Sequence, residues 1–337
     1  MRKLHPRSIT ARQPRAPGEP GLQEPCPFDT LLKWQPVRLL RFSPDAPVIM
    51  NERHQLIVLD QNVMRDSKVL SLALDRCCRE NLQLLIPDVA GFELSKGSQQ
   101  FDTWHRSLEY LRCYPEFVTV SRKLTRMLGE ENETGCSCPS LVDRDSATCM
   151  REVLHGLDHD DTFPLRRIVD GPMRRLMPAS LAAWSNSDEH KQWIIKIRDE
   201  LSRMMDEEAL KRLRKSPQEG LAEWLSSIDG IRFVFQGIRS RGASDEVALR
   251  LSSMASVSAA FLSAFGALAV HWLAFGGLDV ASPNKLTNDL LDMEYAILGS
   301  LSVALLSKDK RVSDICGAMS TASRERCAWF REGRHGI

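Results

Sequence analysis

Short apolar runs separated by amphipathic stretches mark the chain after residue 50 and return near its end. Leu56-Ile57-Val58-Leu59 and Leu84-Leu85-Ile86 are too short for helices and lack polar alternation, which predicts strands covered on both faces, as in a parallel sheet. Phe117-Val118-Thr119-Val120 predicts a third strand and Val303-Ala304-Leu305-Leu306 a fourth. Helical spacing lies between them: Lys68 to Glu80, a segment starting near Asp88, and a stretch holding Trp104, Leu108 and Leu111. Strands alternating with helices predict an α/β fold, a parallel sheet flanked by helices and joined by right-handed crossovers.

Between residues 122 and 250 the pattern turns helical and heavily charged. Within Asp188 to Lys215, Trp193, Ile194, Ile197, Leu201, Met204 and Met205 recur at three and four, the stripe of an amphipathic helix. Lys196, Arg198, Lys211, Arg212, Arg214 and Lys215 fall on its other face. With Arg166-Arg167 and Arg174-Arg175 they suit a cradle for a polyanion, or a solvated face laced with Glu207 and Glu208. The segment reads as a mostly α-helical insertion that caps or gates a core.

Leu251 to Leu278 is 28 residues without a formal charge, long enough to span a bilayer. Five serines, three glycines and His271 dilute it, and a helix buried against the sheet explains it equally well. The expected organisation is a proline-rich arm over 1–50, a core in two halves over 51–121 and 251–337, and the helical insertion over 122–250. In the arm, Arg2, Arg7, Arg12 and Arg15 suit phosphate, while Leu31, Leu32, Trp34, Leu39 and Leu40 suit packing on the core.

Acids recur where those elements end. Asp60 follows the first strand, Glu93 sits on the helix after the second, Asp292 on a helix with Asp289 three residues earlier, and Asp309 follows the fourth strand. In open α/β sheets the carboxyl ends of the strands face one crevice. Carboxylates converging there repel one another unless a cation sits among them, and an oxygen-only donor set suits Mg²⁺ or Mn²⁺. A metal so held polarises a phosphodiester and lowers the pKa of a bound water. The plain alternative for each acid is a helix cap or turn. A single span at 251–278 would separate Asp60 and Glu93 from Asp292 and Asp309, which argues against stable membrane insertion.

At these residues the chain resembles the PIN-domain nucleases. Ile57 to Val63, with Asp60 and Asn62, resembles the family's first strand and Asp-x-Asn loop. Ile86-Pro87-Asp88-Val89 through Glu93-Leu94-Ser95-Lys96 is similar to its second motif. Asn288 to Ala296, then Leu305-Leu306-Ser307-Lys308-Asp309, resembles the helix with the third acid and the strand with the fourth. The likeness covers about residues 50–121 and 251–320, and small members of the family lack a counterpart of the insertion. It implies a PIN-like core and a metal-dependent endoribonuclease that cuts single-stranded or structured RNA, leaving a 5′-phosphate. Asp60, Glu93, Asp292 and Asp309 would hold Mg²⁺ or Mn²⁺, with Asp289 a fifth participant. Asn62 would orient the first loop, Ser307 would bond a ligand or water, and Lys96 and Lys308 would offset phosphate charge. The alternatives are a PIN-like scaffold that no longer cuts and a DNA or flap nuclease; a toxin with a separate antitoxin is a sub-case of the first reading.

Composition bounds these readings. With 337 residues, 43% hydrophobic and net charge +1, the chain has material for a large core and no global field to recruit a polyanion. Nine cysteines, Cys77 and Cys78 adjacent, with no apolar leader at the basic N-terminus, predict a reducing, cytoplasmic setting. Cys136, Cys138, Cys149, His155 and His159 form a candidate zinc set, with free thiols in a loop as the alternative. The expected partners are nucleic acid, RNA before DNA, and a regulatory protein or a second copy of the chain.

Overall fold

The computed structural model of the protein describes residues 52–96, 98–171 and 187–331. The proline-rich arm with its arginines and apolar residues, and the pair Arg174-Arg175, lie outside them. Among the described residues are four strands: β1 (Leu56–Leu59), β2 (Gln83–Ile86), β3 (Val118–Val120) and β4 (Ala304–Leu306). They form one parallel sheet in the order β3-β2-β1-β4. In register, Leu56 faces Gln83, Val58 faces Leu305 and Leu85 faces Thr119. Leu56 to Leu59 are all at most 2% exposed, as a doubly covered strand requires. The strand boundaries differ from the sequence expectation by one residue at Phe117 and at Val303.

Helices α1 (Ser67–Glu80), α2 (Asp88–Leu94) and α3 (Gln100–Leu108) connect the first three strands. Asp66 starts α1 by accepting from the Lys68 and Val69 amides, and Asn81 ends it in the left-handed region at φ 54°. Leu111 falls in a separate 3-10 turn after α3. Beyond β3 the chain is helical: α4 (Leu124–Thr134), α5 (Arg144–Asp158), α6 (Phe163–Asp170), α7 (Ser187–Met204), α8 (Glu207–Lys215), α9 (Pro217–Ser226), α10 (Ile228–Ser240) and α11 (Asp245–Ser253). Then come α12 (Val257–Phe275), α13 (Pro283–Ser300) and, after β4, α14 (Lys310–Arg331). The molecule is thus α/β and mostly helical around a small sheet.

Two expected helices are broken by caps. The stripe over 188–215 becomes α7 and α8, because the Asp206 carboxylate accepts from the Ala209 amide and starts a new helix. Ile194, Ile197 and Leu201 are buried as the periodicity requires. The uncharged run 251–278 is divided at Ser256, whose hydroxyl caps α12. That helix is long and apolar enough to cross a membrane, with mean hydropathy 1.7. Of its most apolar 18-residue window 83% is buried, against neighbours that include α4, α7, α10, α13 and α14, so its apolar residues belong to a protein core.

A buried acid ties the insertion to this central helix. Glu131, on α4, is fully buried, and its carboxylate accepts from the amides of Val257 (2.8 Å), Ser258 (2.7 Å) and Cys138 (2.9 Å). It thus satisfies orphan donors at the start of α12, and the positive end of the helix dipole favours its charge. Close to the site, Gly299 on α13 admits β4 and α14. A Cβ there would meet Leu305 Cβ and Cys316 Sγ at 2.8 Å, so any side chain would force those elements apart.

Candidate functional site

The strand order places β4 beside β1, whereas β2 and β3 extend from the other side of β1. Chain connections therefore diverge between β1 and β4, and the crevice outside their carboxyl ends is where open α/β sheets bind ligands. Asp60 leaves β1 at this point and Ser307 leaves β4. The Ser307 hydroxyl donates to Asp60 Oδ2 (2.6 Å) and accepts from the Asp309 amide (3.0 Å), so one serine joins the two acids. Sequence reading gave Ser307 to a ligand or water; the structure engages it within the protein. Asp60 Oδ1 accepts from the Asn62 amide (3.1 Å). Asn62 thus shapes the first loop through its backbone, and its side chain is exposed.

Asp309 has the plain role as well. Its Oδ1 accepts from the amides of Arg311 (2.8 Å) and Val312 (3.2 Å), capping α14, while Oδ2 makes no hydrogen bond. Glu93, with a side chain 8% exposed, accepts from the Tyr295 hydroxyl at Oε2 (2.6 Å). Burial holds its carboxyl above the usual range, against the pull of the Tyr295 hydrogen bond and of Lys96. Tyr295 itself is fully buried and kept protonated by burial and by Glu93.

Helix α13 packs across β1, β4 and α2, which brings its acids to the same crevice. Asp292 is pushed up to about 7, chiefly by burial, with Asp309, Glu93 and Asp289 adding repulsion and Arg311 opposing them. Asp289 lies deeper, 3% exposed, and its Oδ2 is buried without a hydrogen-bond partner.

Two groups that the sequence reading did not assign complete the site. Arg311, in the first turn of α14, places Nη2 2.6 Å from Asp289 Oδ1 and 2.9 Å from Asp292 Oδ2. Glu294 has a buried Oε1 without a partner, and burial with Asp88 and Glu93 nearby raises its carboxyl to about 8. Both lay in quoted stretches or next to them, but nothing in spacing alone marks an arginine as the counter-charge of acids 19 and 22 residues earlier.

The lysines divide. Lys96 stays at the rim, with Nζ 3.2 Å from Asn288 Oδ1 and 4.0 Å from Glu93 Oε1, over the Phe92 ring. Lys308 instead pairs with Asp66 at 2.7 Å, at the start of α1. In the insertion, Arg198 pairs with Asp199 and Asp279, Lys211 with Glu208, Arg212 with Glu223, and Arg214 with Glu207. Arg166 stacks on Phe101 and Arg167 faces Glu152. This is a laced helical surface rather than an open cationic cradle.

The candidate zinc residues are not gathered. Cys138 is buried beside Arg122 and the Ser140 carbonyl, while Cys136, Cys149, His155 and His159 are exposed. Among the described residues no group of three or more His, Cys, Asp or Glu side chains is placed to hold a metal ion, the four crevice acids included. Donor chemistry at the crevice nonetheless suits a hard cation. Asp292 Oδ1 and Asp309 Oδ2 make no hydrogen bond, Glu93 Oε1 meets only Lys96, and the acids outnumber the cations among them.

A scan of protein-family models, a search of curated proteins and a search of solved structures each find no match to this chain.

Proposed function

We propose that the crevice at the carboxyl end of the sheet is a Mg²⁺- or Mn²⁺-dependent phosphodiesterase site on a PIN-like core, and that the protein is an endoribonuclease. The observation carrying this is that Asp60, Glu93, Asp292 and Asp309 lie around the crevice at the divergence of β1 and β4, where Ser307 links Asp60 to Asp309, and Asp309 and Glu93 add to the burial that destabilises Asp292 as an anion. A divalent ion there would supply charge neutralisation and an acidified water. Asp60 and Asp309, linked by Ser307, would hold it with Glu93 and Asp292; Tyr295 fixes the rotamer of Glu93. Lys96 at the rim would face the phosphate. The choice of RNA, and of a 5′-phosphate product, comes from the likeness of the four segments to PIN-domain nucleases.

One observation favours a second reading. Arg311 already neutralises Asp289 and Asp292, so a scaffold that binds without cutting could keep its acids by this internal cation. Cleavage of labelled single-stranded RNA, duplex RNA and single-stranded DNA with Mn²⁺, Mg²⁺ or EDTA, in wild type and Asp60→Asn, separates the two. Metal-dependent cutting that disappears in the variant is the expected result. No cutting of any substrate, with no heat of Mn²⁺ binding, would leave the scaffold reading; cutting of DNA alone would move the proposal to a DNA nuclease.

A further inference from the structure

At the opposite end of the sheet lies a cavity of about 480 Å³, closed on one side by α5. Its lining includes Gln55, Asn81, Gln83, Thr119, Arg144 and Arg151, and no Asp or Glu among the described residues. Gln55 precedes β1 and Gln83 opens β2, so these side chains sit where the strands begin, away from the acids. The walls hold polar groups without partners. Thr119 is fully buried, and its Oγ1 makes no hydrogen bond. Arg151 Nε is likewise buried and unbonded.

A buried hydroxyl and a buried guanidinium nitrogen without partners are costly, and a ligand that shifts these side chains toward the cavity would complete them. The size falls in the range of about 300–1,000 Å³ typical of small-molecule sites. An acid-free wall with two arginines selects an anion, and the planar fork of guanidinium matches phosphate oxygens. The carboxamides of Gln55, Asn81 and Gln83 each set a donor beside an acceptor, the pattern that pairs with the edge of a nucleobase. We infer that this cavity binds a small organic phosphate of mononucleotide size, with Arg151 and Arg144 on the phosphate and the carboxamides on the base. The site is separate from the acidic crevice and does not depend on what that crevice does.

Titration calorimetry of the full chain in EDTA, with adenosine 5′-monophosphate, guanosine 5′-monophosphate, inorganic phosphate and adenosine as probes, tests this. At least one nucleotide is expected to bind below about 100 μM, and adenosine at least about tenfold more weakly. Arg151→Gln should weaken nucleotide binding about tenfold or more at an unchanged melting temperature, and Gln83→Ala should weaken nucleotides more than inorganic phosphate. The proposal fails if neither nucleotide binds below about 1 mM, if adenosine binds as well as its phosphate, or if folded Arg151→Gln binds as wild type does.

Discussion

The two ends of one four-stranded sheet carry opposite chemistry. At the carboxyl end Asp60, Glu93, Asp292 and Asp309 lie around one crevice, and Arg311 is committed to Asp292 and the deeper Asp289. At the amino end Arg144 and Arg151 line a cavity that has no acid among its described residues, and Arg151 Nε has no hydrogen-bond partner. A parallel sheet builds such polarity in. Helices α1, α2 and α14 all start at the carboxyl end of a strand, so their positive dipole ends face the crevice and favour carboxylates there. The difference teaches that arginines on one fold are not equivalent. Arg311 belongs to the folded state's own charge balance, whereas Arg151 Nε is buried with no partner.

The largest expected effect is on chemistry at the acidic end. Asp309→Asn should cut metal-dependent cleavage by about 100-fold or more and still cap α14, since Asn caps as well as Asp. Single-turnover assays beside thermal unfolding check it, and undiminished cleavage would remove Asp309 from the site.

Next is the committed arginine. Arg311→Met leaves Asp289 buried with no counter-charge and should lower stability by about 3 kcal/mol in chemical denaturation. A loss below about 0.5 kcal/mol would show that the acids do not depend on it.

A smaller effect follows from pH. Burial raises the Asp292 carboxyl to about 7, well above its unfolded value, so the folded state holds this proton more tightly than the unfolded chain does. Its contribution to stability is therefore present at low pH and is lost as pH rises toward about 7. Compared with Asp292→Asn, wild type should lose on the order of 1 kcal/mol between acid and neutral pH, the side chain being 24% exposed. Parallel stability curves for the two proteins across that window would contradict the burial of this acid.

The smallest effect is expected at the other end. Arg151→Gln should change stability by no more than about 0.5 kcal/mol, because no ion pair or hydrogen bond is lost. A loss as large as that of Arg311→Met would erase the contrast between the two ends.

Much of the framework was legible from the chain. The runs at 56–59 and 84–86 read as covered strands, and an acid directly after such a strand lies at its carboxyl end, which located Asp60; Asp309, three residues beyond β4, was placed by the same reasoning. The helix over 88–94 likewise placed Glu93. Less legible were the caps at Asp206 and Ser256, because an apolar stripe continues across them while one side-chain hydrogen bond ends the helix. The pairing of Lys308 with Asp66, and of Glu93 with Tyr295 at a separation of 202 residues, was not legible at all.

By itself the sequence determined the local periodicities, hence an α/β chain with short buried strands, and the acids that follow them. Only the tertiary structure decided which charges meet. Periodicity acts over a few residues, whereas charge balance depends on through-space distance. It was the packing of α13 and α14 across the sheet that gave Arg311 to Asp289 and Asp292 and turned Ser307 inward to Asp60, while the packing of α5 on β3 set its arginines around a cavity with no acid among the described residues.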